Sequence, residues 1–122
     1  MTIFLCMSFS SCESVLEFID NILFAEIELI AEPTLTVIQE EDGEYTAIVE
    51  GFAKNVSGRV AMRSEAVARY YDLDGNEIVR DGYRFVVDVD RIGEGEVWRF
   101  YIKTKNLPAE PIMVYVYVFE DL

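Results

Sequence analysis

Apolar and polar side chains alternate one by one through most of the chain beyond residue 24, in short runs that turn residues separate. A period of two places successive side chains on opposite faces of a β-strand, and the runs are rich in β-branched and aromatic residues. We predict strands at residues 24–30, 35–39, 45–54, 62–71, 77–80, 83–91, 97–104 and 112–120. Short, evenly spaced strands of this kind predict an all-β fold, an antiparallel sandwich or barrel.

Glycine-containing runs connect the strands at residues 40–44, 72–76 and 93–95. Glycine adopts the positive φ that tight turns require, so we predict turns at these three places. Pro33 has no N–H to donate to a sheet and predicts a break or a change of sheet after the first strand. No long helical pattern lies between the strands, which excludes a parallel sheet with crossover helices.

Charged positions indicate which side of each strand faces the core. In residues 62–71, for example, Arg63, Glu65 and Arg69 share one face, so the other face points inward. The residues predicted to point inward are Met62, Ala66, Ala68 and Tyr70, then Phe85, Val87 and Val89, then Trp98, Phe100 and Ile102.

The first 23 residues follow a different pattern and form a segment distinct from the sandwich at 24–122. Residues 1–12 are apolar, then small, and end in Cys12, the order of a prokaryotic lipoprotein signal. On this interpretation Cys12 carries a lipid, and the domain is anchored to a membrane outside the cytoplasm. Residues 11–23 also place apolar side chains three and four apart, which favours a short docking helix. Both interpretations stay open.

Composition narrows the class of protein. The 122 residues are 52% hydrophobic, which suffices for the core of one domain. Ten Lys and Arg against 23 Asp and Glu give a net charge of −13. A chain this acidic repels phosphate backbones and anionic lipid surfaces, so we predict no nucleic-acid partner.

Catalytic side chains are scarce. The chain has no histidine, and its two cysteines both lie in the first twelve residues. The commonest general base, the usual nucleophile pairs and the usual zinc ligands are therefore missing from the predicted sandwich. We predict a protein that is not an enzyme, with no catalytic residue, cofactor or metal site.

Two local motifs have competing interpretations. Asp72, Asp74 and Asn76 have the spacing that opens a calcium loop, but Glu77 stands where that loop needs glycine, so a hairpin turn is preferred. The other acidic runs, at 40–44 and 88–96, are interpreted as solvated turns. Residues 55–57 form an N-glycosylation sequon, which makes Asn55 a candidate glycan acceptor.

Three blocks of residues resemble the FxLYD domain family. The blocks are Gly51, Asn55 and Ser57; then Tyr71, Asp72 and Gly75; then Gly95, Glu96 and Phe100. The resemblance covers roughly residues 50–103. It implies an immunoglobulin-like antiparallel sandwich of seven or eight strands, found mainly on exported or membrane-anchored prokaryotic proteins, with no assigned activity.

The last predicted strand is apolar on both faces. If Val114, Val116 and Val118 line the core, the intervening aromatic residues stand on the outer face. In immunoglobulin-like order this strand would neighbour 97–104, which would neighbour 62–71. The candidate interaction face is then Val67, Tyr71, Tyr101, Tyr115, Tyr117 and Phe119. Contiguous exposed apolar area marks an interface, although aromatic residues also favour strands for packing alone.

The sequence therefore predicts a non-catalytic exported or surface-anchored accessory domain that acts through protein contacts. An alternative is a filament or surface-layer subunit, which uses its N-terminal segment to add a strand or helix to the next copy. Both hypotheses place the chain outside the cytoplasm, with a protein partner or a second copy as its ligand.

Overall fold

The computed structural model describes residues 25–80 and 84–121. The predictions for residues 1–23, including lipidation of Cys12, lie outside the described residues. Within the described ranges there are eight strands and no helix, hence none long and apolar enough to cross a membrane. The strands are β1 (Ile27–Leu29), β2 (Thr34–Gln39), β3 (Tyr45–Asn55), β4 (Ala61–Tyr71), β5 (Glu77–Ile78), β6 (Phe85–Ile92), β7 (Val97–Leu107) and β8 (Met113–Glu120).

The strands form two antiparallel sheets that pack as a sandwich, which confirms the predicted all-β fold. In the first sheet, β3 is central and pairs with β1 and β2 along one edge and with β7 along the other. In the second sheet, β4 is central and pairs with β5 and β6 along one edge and with β8 along the other. We call these sheet A and sheet B.

The pairing corresponds to part of the immunoglobulin order. That fold pairs strands A, B and E in one sheet and C, F and G in the other, with an added C′ beside C in some members. Here β1 and β2 together take the place of strand A, β3 that of B and β7 that of E. In the other sheet β4 takes the place of strand C and β8 that of F. Strand β8 pairs with β4, so the predicted pairing of the last strand with 97–104 is wrong. Alternation assigns a residue to a face but does not select the neighbouring strand.

The turns form where glycine was expected. Gly43, Gly75 and Gly95 have φ of 87°, 84° and 76°, the left-handed region that glycine adopts without strain. In the two hairpin turns an aspartate stabilises the bend: Asp42 Oδ1 accepts the Glu44 N–H, and Asp72 Oδ1 accepts two N–H groups. Pro33 lies in the interruption between β1 and β2, as predicted. Both strands pair with β3, so no change of sheet occurs there.

Most of the predicted core is confirmed. The largest fully buried side chains include Tyr70 and Phe100, and Tyr70 shares a hydrogen bond of 2.9 Å with the Thr104 hydroxyl. Phe85, Val87, Val89 and Trp98 are partly buried against the same cluster. Met62 was expected inside but is 50% exposed. The alternation of β4 breaks there, because Met62 and Arg63 are both exposed while Ala61 and Ser64 are both buried.

Candidate interaction face

The outer face of sheet B carries a row of aromatic residues on β8, which stand opposite the outward residues of β4. Tyr117 is registered with Val67, Phe119 with Glu65 and Tyr115 with Arg69. Each aromatic side chain is half-buried. The inward positions of β8 are Val114, Val116 and Val118, all buried in the core as predicted. We call Tyr115, Tyr117, Phe119 and Val67 the aromatic face.

The three rings contact one another along β8. The centroids of Tyr115 and Tyr117 lie 5.6 Å apart with the planes tilted by 45°, and those of Tyr117 and Phe119 lie 6.0 Å apart and are stacked. These separations fall in the range in which aromatic pairs attract beyond simple area burial. The rings therefore form a continuous apolar strip rather than three separate exposed side chains.

Val67 lies beneath this strip. It points outward from sheet B, away from the core between the sheets, and yet only 4% of its surface is exposed. Its register neighbours across the sheet are Tyr117 on β8 and Val86 on β6. Sheet B thus has a second, small apolar layer on its outer side, and the sequence pattern alone did not predict that Val67 would be buried.

Two ion pairs border the aromatic face. Arg69 donates to both carboxylate oxygens of Glu77 at 2.9 and 2.7 Å, and Arg84 donates to Glu65 at 2.9 Å. The guanidinium of Arg69 also lies 5.9 Å from the ring centroid of Tyr115. The hydrogen bond from Arg69 lowers the pKa of Glu77, and the same hydrogen bond raises the pKa of Arg69. The strip is therefore apolar in the middle and charged at its border.

Tyr101 does not belong to this face, contrary to the sequence prediction. It lies on β7 in sheet A, opposite Glu50 on β3, and is 51% exposed. It lines a shallow groove between β6 and β7 together with Lys103 and Lys105. Tyr71 is on sheet B as predicted, but lies at the end of β4, where it pairs with Met113 and Glu77.

Asn55 is a structural residue, and the folded domain offers no glycan acceptor there. Its side chain is fully buried, and its amide nitrogen donates to the carbonyls of Arg59, Ile92 and Gly93 at 2.7 to 3.2 Å. Its amide oxygen accepts both the N–H and the hydroxyl of Ser57. An attached glycan would remove the buried hydrogen bonds that hold this end of the sandwich together.

The other residues that match FxLYD motifs also have structural roles. A Cβ added to Gly51 would collide with Phe100 Cζ, so the ring fits only over glycine. Glu96 accepts the Gly93 N–H with its carboxylate, which closes the turn before β7. Asp72 and Gly75 build the β4–β5 turn. These motif residues therefore shape turns and packing.

Glu120 is a buried acid that the sequence analysis did not single out. Its side chain is inaccessible to solvent and forms a 2.9 Å ion pair with Arg59. It also accepts the N–H groups of Ala25 and Met62 at 2.8 and 2.7 Å. Burial acts to raise the pKa of Glu120, but Arg59 and the two N–H donors outweigh it and lower the pKa. Glu120 follows Val114, Val116 and Val118 on the inward face of β8. This inward position is the sequence signal from which its burial could have been predicted.

Metal-ligating side chains are not gathered in any part of the chain that the structure describes. Among residues 25–80 and 84–121, no three Asp, Glu, Cys or His side chains come together in a group that could hold an ion. The 40–44 and 72–76 runs lie on separate hairpins, where Asp42 and Asp72 accept backbone N–H groups of their own turns.

The comparisons with known proteins support the fold and give no activity. The chain is similar to a crystal structure described as a DUF1425 family member from Shewanella sp. pv-4, with a TM-score of 0.54. The two are 14% identical over 80% of this chain and 81% of that one, a likeness that shows a shared fold alone. No family model matches the chain, so the FxLYD resemblance is not confirmed. No curated protein matches it either.

Proposed function

We propose that this chain is a non-catalytic accessory domain, exported or surface-anchored, that binds a protein through the aromatic face. The observation that carries the proposal is the packed strip of Tyr115, Tyr117 and Phe119 over Val67, bordered by ion pairs. An apolar centre rich in aromatic side chains with a charged rim is the usual composition of a protein interface.

The contacts of the buried and turn-forming polar residues support a binding function over a catalytic one. Asn55, Asp72, Glu96 and Glu120 each satisfy backbone or side-chain partners within the fold. A net charge of −13 directs the choice of ligand toward proteins, because nucleic acids and anionic lipid surfaces would be repelled.

Export is the second part of the proposal. It is supported by the order of residues before Cys12 and by the FxLYD resemblance, whose members are mainly exported prokaryotic proteins. We expect a radioactive fatty acid fed to the source organism to label the protein, and Cys12→Ser to remove the label. A protein that stays unlabelled would rule out anchoring through Cys12 and leave the binding proposal to be judged separately.

Site-specific photo-crosslinking tests the aromatic face. Phe119→p-benzoylphenylalanine places a reactive ketone on this face, and Phe52→p-benzoylphenylalanine places the same group on sheet A, where Phe52 is 39% exposed. Crosslinking in cells should give an adduct of defined mass from position 119 and none from position 52. No adduct at position 119, or equal adducts at both positions, would contradict binding through this face.

A second candidate function is that of an assembly subunit. The observation that favours it is the second edge of β8, which no strand among the described residues covers. Negative-stain microscopy and light scattering of the full chain separate the two functions, because long polymers are expected only from an assembly subunit.

A further inference from the structure

We infer that the uncovered edge of β8 is a self-association edge, at which β8 of a second copy pairs antiparallel and joins two B sheets into one. The starting observation is the position of β8. It takes the place of strand F in the immunoglobulin order, and strand G pairs with strand F in that fold. No strand G occurs among residues 25–80 and 84–121, so within them one side of β8 has no ladder partner.

The backbone groups that face this edge can be identified. Asp121 N–H donates to the Arg63 carbonyl, and the register pairs each odd residue of β8 with an odd residue of β4. Residues alternate along an antiparallel ladder between those bonded to one neighbour and those bonded to the other. The N–H and C=O groups of Val114, Val116 and Val118 therefore point to the uncovered edge.

The side chains of β8 permit another strand to approach, whereas the edge strands β6 and β7 carry charges and the edge strands β1 and β2 are short. Residues 113–119 contain no charge and no proline. By contrast, β6 carries Asp88 and Asp90, and β7 carries three cations. Strands β1 and β2 are shorter, with three and six residues. Charges within the strand and short lengths are among the means by which proteins protect sheet edges, and residues 113–119 of β8 have neither.

The strand is also complementary to itself in one register. A two-fold axis at Val116 sets Val114 opposite Val118 and Tyr115 opposite Tyr117 of the second copy. Valine then meets valine on the inner faces, and aromatic meets aromatic on the outer faces, which are favourable cross-strand pairs. No like charges are placed opposite each other between residues 113 and 119, and an isologous pair of this kind closes as a dimer.

Charge explains why two copies would meet at this edge and not elsewhere. Each chain carries −13, so association through most surfaces is repulsive. Asp88 and Asp90 lie on β6, which is separated from β8 by β4. The pairing would leave the aromatic face open and extend it over both copies. This inference therefore does not depend on binding of a protein partner by the aromatic face, and a closed dimer at this edge is an alternative to the polymer expected of an assembly subunit.

The test uses the full chain in analytical ultracentrifugation. We expect a monomer–dimer equilibrium that tightens as salt rises, because salt screens the repulsion between two acidic copies. Tyr115→Lys with Tyr117→Lys should weaken the dimer about tenfold or more, since lysines then face each other across the axis. Val97→Lys with Tyr101→Lys on β7 is the control, with the same charge change and no expected loss of dimer.

A mixing experiment tests the register. The double lysine variant and a variant with Tyr115→Glu and Tyr117→Glu should each be monomeric, and a mixture of the two should restore the dimer. Circular dichroism checks that both variants are folded. A monomeric wild-type chain, or a dimer that the lysine pair leaves unchanged, would overturn the inference.

Amide hydrogen exchange of the wild-type protein gives a measurement that needs no variant. The N–H groups of Val114, Val116 and Val118 should become protected as protein concentration rises and exchange faster on dilution. If they are protected equally at all concentrations in a monomer, the edge is covered within one chain by residues 1–24, and pairing with a second copy is wrong.

Discussion

Among the strands of residues 25–80 and 84–121, β7 and β8 both lie at sheet edges, and both send every second side chain into the core. Their outward residues differ in surroundings. Tyr101 on β7 is opposite Glu50 and is 51% exposed. Tyr117 on β8 is opposite Val67 and stacks on Phe119. The same residue type is thus an exposed side chain on one strand and part of an apolar layer on the other.

The difference shows that the opposite strand decides the role of an outward aromatic residue. On β7, charged residues alternate with Tyr101, and Arg99 lies over Phe52 and pairs with Glu50. On β8, apolar residues at 113, 115, 117 and 119 follow one another, so they contact each other and cover Val67. Cross-strand pairs, more than the propensity of single residues, stabilise a sheet surface.

The largest expected effect is at the end of β8, where Glu120 joins both sheets. Glu120→Gln should lower the free energy of unfolding by about 2–3 kcal/mol, because the charged acceptor of two buried N–H groups and of Arg59 is lost. Urea denaturation at pH 7 measures the change. Glu110→Gln, in the exposed loop between β7 and β8, is the control and should change stability by less than about 0.5 kcal/mol. If the two variants lose equal free energy of unfolding, Glu120 does not stabilise the contact between the two sheets.

The contribution of Glu120 should also depend on pH. Its folded-state pKa is lowered from the ordinary value of 4.5, so its ionised form stabilises the fold fully above that pH. The contribution is lost as pH falls through the folded-state pKa. The stability difference between wild type and Glu120→Gln should therefore be constant near neutrality and shrink below pH 4.5. A difference that stays constant into strong acid would contradict the ion pair.

The next largest effect is the difference in stability loss between two valine-to-alanine variants, one beneath the β8 aromatic residues and one on β7. Val67→Ala should cost about 2 kcal/mol, because two buried methyl groups are removed and a small cavity is left. Val97→Ala should cost about 0.5 kcal/mol or less, since Val97 is 49% exposed. Thermal or urea unfolding of the pair measures the difference. If the two variants are equally stable, the aromatic residues do not form an apolar layer over Val67.

The smallest effect distinguishes two exposed ion pairs. Arg69 bonds both oxygens of Glu77, whereas Arg99 directs two nitrogens to one oxygen of Glu50. Glu77→Gln and Glu50→Gln should each cost less than about 1 kcal/mol, with the larger loss at Glu77 because a two-oxygen contact is better ordered. Salt should reduce both losses. A larger loss at Glu50 would show that the geometry of the Arg69 pair adds nothing to stability.

Much of the fold was predictable because it depends on local chemistry. The strands, the turns at Gly43, Gly75 and Gly95 and most of the inward residues follow from a period of two and from the φ that glycine adopts. The position of Met62 was not predictable, since the alternation breaks at Met62 and Arg63. The buried role of Asn55 was missed because a sequon has the same three letters whether its amide faces solvent or backbone carbonyls.

The order of residues along the chain suffices to predict an acidic, histidine-free protein of short strands with three aromatic residues on one side of the last strand. The packing of the sheets was needed to show that this strand pairs with β4, that Tyr101 belongs to the other sheet and that Val67 is covered. The reason is that alternation depends on the geometry of a single strand, whereas the choice of neighbour depends on how all eight strands pack together.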